Sequence, residues 1–144
     1  MKILFIKFII IIVLGSTFTN CNKGDDESST ASKEQVIVDP NDYNIAPTDN
    51  LTINSMKIEG HILKINYSSS GCSGDSWVIK LIDSGTVFES DPPRRDLVLS
   101  LKNKEMCEAY ITKEISFDIS KLQVEGNRVK LYITNTKDEI LYQY

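Results

Sequence analysis

Three cysteines, one histidine and a few clustered acids are the residues of this 144-residue chain with the most evident chemistry. Cysteine thiols can carry lipid, form disulfides or bind metal, so the roles of Cys21, Cys72 and Cys107 depend on the compartment in which the chain folds. A metal site needs more ligands than two cysteines and the single His61 supply. We therefore expect no metal and no other cofactor.

The first residues indicate that compartment. Lys2 and Lys7 precede an uncharged apolar run at residues 8–14. This run is too short for a membrane-spanning helix of about 20 residues. A basic start and a short apolar core are typical of a secretory signal peptide, here predicted at residues 1–20. Phe18-Thr19-Asn20-Cys21 follows and resembles the lipobox of bacterial lipoproteins, which makes Cys21 the predicted lipidation site. The alternative is an ordinary cleaved signal in which Cys21 has no role.

The residues behind Cys21 carry a second resemblance. The stretch NKGDDE, a lysine followed by paired acids, is similar to the surface-export signal of lipoproteins from Bacteroidota. Further along, GCSGDSW, ESDPPRRD and ILYQY resemble stretches of small lipoproteins from the same bacteria. The resemblance implies an outer-membrane lipoprotein exposed at the cell surface and held to the membrane through its lipid alone. It implies no activity.

Cys72 and Cys107 remain once Cys21 is assigned to lipid, and two cysteines in an oxidising compartment are expected to form a disulfide. Two separately buried thiols are the alternative. A bridge that closes this loop contributes on the order of 3–4 kcal/mol to stability.

Candidate catalytic residues are weak. Ser73 in GCSGDS lacks the G-x-S-x-G pattern and the strand-to-helix setting of a hydrolase nucleophile. His61 directly follows Gly60 in a predicted hairpin, so we expect an exposed turn residue without an orienting acid. We therefore predict no catalytic residue and no enzymatic activity, with a small hydrolase as the alternative.

Three acids lie close to the predicted disulfide. Asp75 follows Cys72, and Glu105 and Glu108 flank Cys107, so a bridge would bring these carboxylates together. Carboxylates in such a cluster can bind calcium, but no calcium-loop spacing is present, and a solvated acidic rim is the expectation.

Charge limits the partners. Removing Lys2 and Lys7 with the signal leaves 14 basic and 20 acidic residues, a net charge of −6. That balance argues against nucleic acid as a partner and against electrostatic binding to anionic lipid.

Composition divides the mature chain into two parts. Residues 22–34 contain no large apolar side chain and cannot offset their ordering entropy, so we predict a flexible acidic tether at residues 21–50. Within that range, residues 36–38 are apolar and leave an added strand open as an alternative.

Residues 51–144 alternate apolar and polar side chains with a period of two, which is typical of strands with one buried face. Such triplets begin at Leu63, Trp77, Leu97, Ile115 and Val129. About seven short strands separated by turn residues predict an all-β domain, an antiparallel β-sandwich of the immunoglobulin-like type. A small β-barrel is the alternative.

The disulfide also restricts topology, because its Cα atoms can be only about 4.4–6.8 Å apart. The simplest arrangement that places Cys72 and Cys107 at the same end makes residues 77–89 one long strand, bent by a bulge at residues 83–85. This arrangement predicts one rim that carries Asp75, Glu105, Glu108 and Lys137, the candidate binding site. Arg94 and Arg95, among acids that predict local salt bridges, are expected at the opposite end.

Loops at one end of a rigid sandwich are frequent recognition sites. The sequence therefore predicts a lipid-anchored binding module for an unknown protein or glycan, or a support for an envelope assembly. An inhibitor of a foreign protease or lysozyme is an alternative function.

Overall fold

The computed structural model describes residues 33–48 and 50–144. Within them the chain forms nine strands, one short α-helix and one 3-10 turn, and no helix there is long and apolar enough to cross a membrane. The strands are β1 (Lys33–Gln35), β2 (Ile37–Val38), β3 (Thr52–Glu59), β4 (Ile62–Gly71), β5 (Val78–Phe88), β6 (Arg94–Lys102), β7 (Ala109–Asp118), β8 (Arg128–Ile133) and β9 (Asp138–Gln143). Helix α1 spans Pro40–Asn44, and the 3-10 turn spans Ser120–Leu122.

The strands form two sheets packed as a sandwich. The four-stranded sheet has the order β1-β7-β4-β3, and the five-stranded sheet has the order β2-β5-β6-β8-β9. The predicted all-β sandwich is confirmed, and residues 51–144 contain the seven strands expected. The described strands form two separate sheets and not a closed barrel.

The pairing of the strands differs from the antiparallel prediction, although β3 to β9 alternate in direction along the chain. β1 pairs with β7, β2 with β5, and β6 with β8 in parallel. β6 and β8 are parallel because the chain crosses to the four-stranded sheet as β7 before it returns beside β6 as β8. Alternation within a strand reports burial and not direction, so the sequence could not show this.

The core lies between the sheets and follows the predicted alternation. Strands β4, β6, β7 and β8 each contribute inward side chains that are almost fully buried. They include Leu63, Ile65, Tyr67, Leu97, Leu99, Leu101, Phe117, Val129, Leu131 and Ile133. The two faces interdigitate as expected for a sandwich.

The long β5 strand is bent where the sequence predicts a bulge. Its register against β6 shifts between Asp83 and Val87. Asp83 Oδ1 accepts a hydrogen bond from the Gly85 N–H at 2.7 Å, which holds the bulge. The same carboxylate binds Arg95 through Nε at 2.9 Å and Nη2 at 2.7 Å, and both side chains are buried in the core.

Residues 33–48 correct the predicted tether, which extended to residue 50. Strand β1 joins one sheet, Val36 is buried at 2% exposure, and β2 joins the other sheet. Asp39 caps α1 by accepting the N–H groups of Asn41 and Asp42, and Pro40 occupies the first turn. Asp39 and Pro40 thus begin a helix inside the predicted tether. Residues 21–32 of the predicted tether, which include Cys21, lie outside the described residues.

The strand directions define two ends of the sandwich. At the upper end, β4 stops at Gly71, β6 stops at Lys102 and β7 begins at Ala109. The Glu59-Gly60 turn and the loop at residues 89–93 lie at the lower end. Gly60 has φ +59°, as a tight hairpin requires.

Candidate functional site

One carboxylate organises the upper end of the sandwich. Glu105 Oε2 accepts the backbone N–H groups of Cys72 at 2.6 Å, Ser73 at 3.1 Å and Gly74 at 3.0 Å. Its Oε1 accepts the Ser76 N–H at 3.4 Å and the Ser76 hydroxyl at 2.8 Å. The loop that follows β4 is therefore folded around a single side chain from the loop that follows β6.

These donors stabilise the ionised form of the carboxylate. The N–H of Gly74 lowers the pKa of Glu105 most, partial desolvation opposes it, and the Ser76 hydroxyl with the N–H groups of Cys72 and Ser73 lowers it further, to about 2. Glu105 is consequently an ionised acceptor at physiological pH, with its oxygens directed into its own protein.

The disulfide joins the same two loops. Cys72 and Cys107 are bonded, with a Cα–Cα distance of 4.9 Å, and this confirms the predicted pair. Asn103 adds a second connection, because its Nδ2 donates to the carbonyl of Ser70 at 2.7 Å and its Oδ1 accepts the N–H of Glu105 at 2.8 Å. We call residues 72–76 together with 103–107 the braced apex.

The glycines of GCSGDSW make room for the tryptophan. A Cβ on Gly71 would lie 2.9 Å from Cζ2 of Trp77, and a Cβ on Gly74, which has φ +71°, would lie 3.1 Å from Cε3. Lys113 Nζ lies 5.6 Å from the centre of the Trp77 ring, and the Tyr67 ring lies 6.1 Å away. The indole is thus held between the apex loop and β7.

The structure brings part of the predicted rim together. Asp75 lies between the Glu105-bound residues, with a side chain 83% exposed and a contact of 3.3 Å from Oδ1 to Lys113 Nζ. Glu108 is exposed just after Cys107. Glu105 belongs to the apex, although as an internal acceptor and not as a contact surface.

Lys137 lies away from the other three rim candidates. The turn between β8 and β9 stops beside the middle of β6, where Leu97 pairs with Ile133. Asn135 fixes it there, because its side chain accepts the Leu99 N–H at 2.7 Å and donates to the Leu99 carbonyl at 3.0 Å. The prediction counted strand directions correctly but could not count how far β8 reaches along β6.

Arg94 and Arg95 lie at the lower end, as predicted, but only Arg94 forms a local ion pair. Arg94 Nε binds Asp96 at 2.9 Å, and its guanidinium lies 4.6 Å from the ring of Phe88. Arg95 is the partner of Asp83 in the core.

The histidine and the serine with catalytic potential lie at opposite ends. His61 is an exposed residue of the β3–β4 turn, as predicted, with Nδ1 2.6 Å from the Tyr142 hydroxyl. Ser73 lies in the apex, where its hydroxyl accepts the Asp75 N–H at 3.3 Å. Because the chain has only one histidine, Ser73 has no imidazole base.

Carboxylates of the apex are poorly suited to calcium, because five donors already surround the Glu105 oxygens. In residues 33–48 and 50–144, no three histidine, cysteine or acidic side chains converge as metal ligands would.

A groove lies beside the apex, and the sequence did not predict it. It has a volume of about 490 Å³ and is lined by Tyr67, Trp77, Ile79, Lys113 and Ile115, among others. Ile79 and Ile115 read as ordinary core positions, and their place in a groove depends on which strands reach the side of each sheet. The groove exists because strand pairing stops partway along β5 and β7, and no local sequence pattern encodes where the pairing stops.

The fold is similar to that of three solved structures of proteins from Bacteroidales. They are a NigD-like immunity protein from Bacteroides caccae (TM-score 0.56, 13% identity), a DUF1344 protein of unknown function from Bacteroides vulgatus (0.51, 16%) and a putative toxin-related protein from Parabacteroides distasonis (0.54, 20%). The matches cover 76%, 78% and 78% of this chain but 58%, 56% and 60% of those chains. At these identities the likeness shows the fold alone. No protein-family model matches the sequence, and no curated protein is similar enough to count as a relative.

Proposed function

We propose that the protein is a binding module without enzymatic activity, held at the bacterial outer surface by lipid on Cys21, and that its braced apex contacts a partner protein or glycan. The observation that carries this proposal is the Glu105 carboxylate with its five donors from residues 72–76. A loop fixed before binding loses little conformational entropy on binding.

The exposed side chains of the apex suit recognition. Met106 is 93% exposed, next to the disulfide, and Asp75 is 83% exposed at its side chain. Methionine is enriched in protein interfaces and adapts to irregular surfaces, while the exposed carboxylate of Asp75 can accept hydrogen bonds from a partner. Both project from backbone that the disulfide and Glu105 hold in place.

The geometry favours binding over hydrolysis. Ser73 and His61 are separated by the length of the sandwich, and Glu105 is held by internal donors. A small hydrolase would need a nucleophile with a base in reach, or a free pair of carboxylates.

Inhibition of a foreign hydrolase is the second candidate. Two of the similar structures are a NigD-like immunity protein and a putative toxin-related protein, and a rigid loop on a disulfide-braced sandwich suits inhibition. A panel of purified proteases and lysozymes tests this candidate, because an inhibitor should lower the rate of at least one enzyme in proportion to its concentration.

Photocrosslinking in intact cells tests the main proposal. A benzophenone amino acid is placed at Asp75 or Met106, with Lys121, which is exposed at the lower end, as the matched control. We expect a discrete adduct from the apex positions and none from position 121. The adduct should weaken in a Glu105→Ala background, where the loop loses its acceptor. Equal labelling from position 121, or no adduct from either apex position, would contradict the proposal.

A further inference from the structure

The two sheets leave unpaired strand segments on the same side of the sandwich. β1 pairs only with Ser116–Asp118 of β7, so among the described residues the upper part of β7, residues 109–115, has a partner on one side only. β2 pairs only with Ile82 and Asp83, so residues 78–81 of β5 are in the same situation. Unpaired N–H and C=O groups of such edges bind other strands.

Where the structure describes the N-terminal segment, from residue 33 onward, that segment closes only the lower half of this side of the sandwich. There the chain passes from β1 to β2 and places Val36 in the core at 2% exposure. Above it the groove opens between the unpaired parts of β5 and β7, and both segments contribute to its walls. The side chains of Tyr67, Ile79 and Ile115 form its apolar floor.

We propose that this groove accepts an extended segment of a partner protein as an additional strand on β7. Residues 109–115 offer about 23 Å of edge at about 3.3 Å per residue, enough for a peptide of similar length. An added strand would pair its backbone with β7 and insert one apolar side chain between Ile79 and Ile115, as in β-strand addition. The inference rests on the proposed role as a binding module but uses the groove beside the apex, to which the apex contributes only Gly74.

The chemistry of the groove argues for a partner over the chain itself. Residues 22–34 include no large apolar side chain, so they could offer backbone to β7 but nothing to fill the apolar floor. Lys80 and Lys113 on the walls are accompanied by Glu34 and Glu114, so the groove selects for shape and apolarity more than for charge.

The edge strands on the other side of the sandwich are less suited to strand addition. β3 has an irregular register between Ile53 and Ser55 and carries Lys57, which forms an ion pair with Glu59 at 2.7 Å. Bulges and charges of this kind protect free edges. β9 begins with Asp138 and Glu139, both exposed.

Fluorescence of Trp77 tests the inference directly, because Trp77 is the only tryptophan and lines the groove. The probes are synthetic seven-residue peptides in which Val, Ile, Leu or Phe alternates with Thr or Lys. We expect a saturable change in emission with a subset of them, and loss of that change when the central residue is proline, which has no N–H to donate.

Two aspartate substitutions, one beside the groove and one at a distant control position, locate the binding site of the peptide. Val78, 49% exposed, borders the groove, whereas Leu141, 45% exposed, lies on β9 at the far edge of the same sheet. Val78→Asp should weaken peptide binding about tenfold or more, and Leu141→Asp should leave it unchanged. Circular dichroism and melting curves establish that both variants fold.

The other outcomes count against the proposal. A set of peptides that leaves Trp77 emission unchanged, or binds equally to the Val78→Asp variant, overturns it. Concentration-dependent dimerisation that Val78→Asp abolishes would identify a second copy as the occupant. Tighter peptide binding after deletion of residues 24–32 would identify the chain itself. Because the apex is tested by crosslinking at position 75, the groove can fail while the proposed function stands.

Discussion

The buried ion pair between β5 and β6 gives the sharpest test of the core. Asp83→Ala removes the carboxylate that binds Arg95 at 2.9 and 2.7 Å and leaves the guanidinium, at a residue only 8% exposed, without a counter-charge. Removing one partner of a buried pair typically costs about 3–5 kcal/mol. The bulge adds little, because Gly85 is exposed and its N–H can bind water.

That cost is large for a small domain. Total stabilities are about 5–15 kcal/mol, and about 1 kcal/mol shifts the melting temperature of a domain of this size by about 4 °C. The melting temperature of the Asp83→Ala variant should therefore fall by about 12–20 °C. Urea unfolding followed by Trp77 emission measures the loss of free energy, and the slope with urea should stay unchanged.

The matched controls are Arg95→Met and the double variant Asp83→Leu/Arg95→Met. We expect the double variant to recover to within about 1 kcal/mol of the unmodified protein, since an apolar replacement of a buried pair is often neutral. A loss below about 1 kcal/mol for Asp83→Ala, or a double variant that loses the sum of both single changes, would refute the reasoning.

Three further predictions concern the anchor, the disulfide and the apex. Cys21→Ser should move the protein from the membrane fraction to the soluble fraction, and unchanged partition would show that Cys21 carries no lipid. Reduction of Cys72–Cys107 should cost on the order of 3–4 kcal/mol in thermal or urea unfolding, whereas alkylation of both thiols without reductant would contradict the bond. Glu105, with its pKa lowered from 4.5 to about 2, stabilises the fold above pH 4.5, and this contribution disappears as pH falls towards 2. Glu105→Gln should remove that part of the acid dependence, and titration curves that match the unmodified protein would show that the apex does not depend on its charge.

Local patterns were sufficient for most of the strands. Alternation located β4, β6 and β8, because alternate residues of each strand point into the core, although β6 is buried on both faces from Leu97 to Leu101. Gly60 indicated the first hairpin, since few other residues adopt its positive φ. The disulfide distance then required β5 to be long and bent, which its shifted register against β6 confirms.

The errors come from interactions between distant parts of the chain. Asp39 and Pro40 start a helix only because β5 provides a surface for α1 to pack on. The position of Lys137 depends on the pairing of Leu97 with Ile133, which no local pattern specifies. The groove depends on β1 and β2 covering only part of β7 and β5, so it belongs to the assembled sandwich and to no single segment.

The direction of β1 decides how the molecule bears mechanical load. β1 begins opposite Ser116, in the lower half of β7, and runs parallel to β7 away from the apex, so a load between the apex and the chain ahead of Lys33 draws Lys33 away from the apex and back along β1. In this peeling geometry the hydrogen bonds between β1 and β7 break one after another, whereas a pull on Lys33 towards the apex would strain them together. Rupture under force is governed by the rate of unfolding. A module tethered through Cys21 and bound at its apex would therefore release β1 residue by residue, beginning at Lys33.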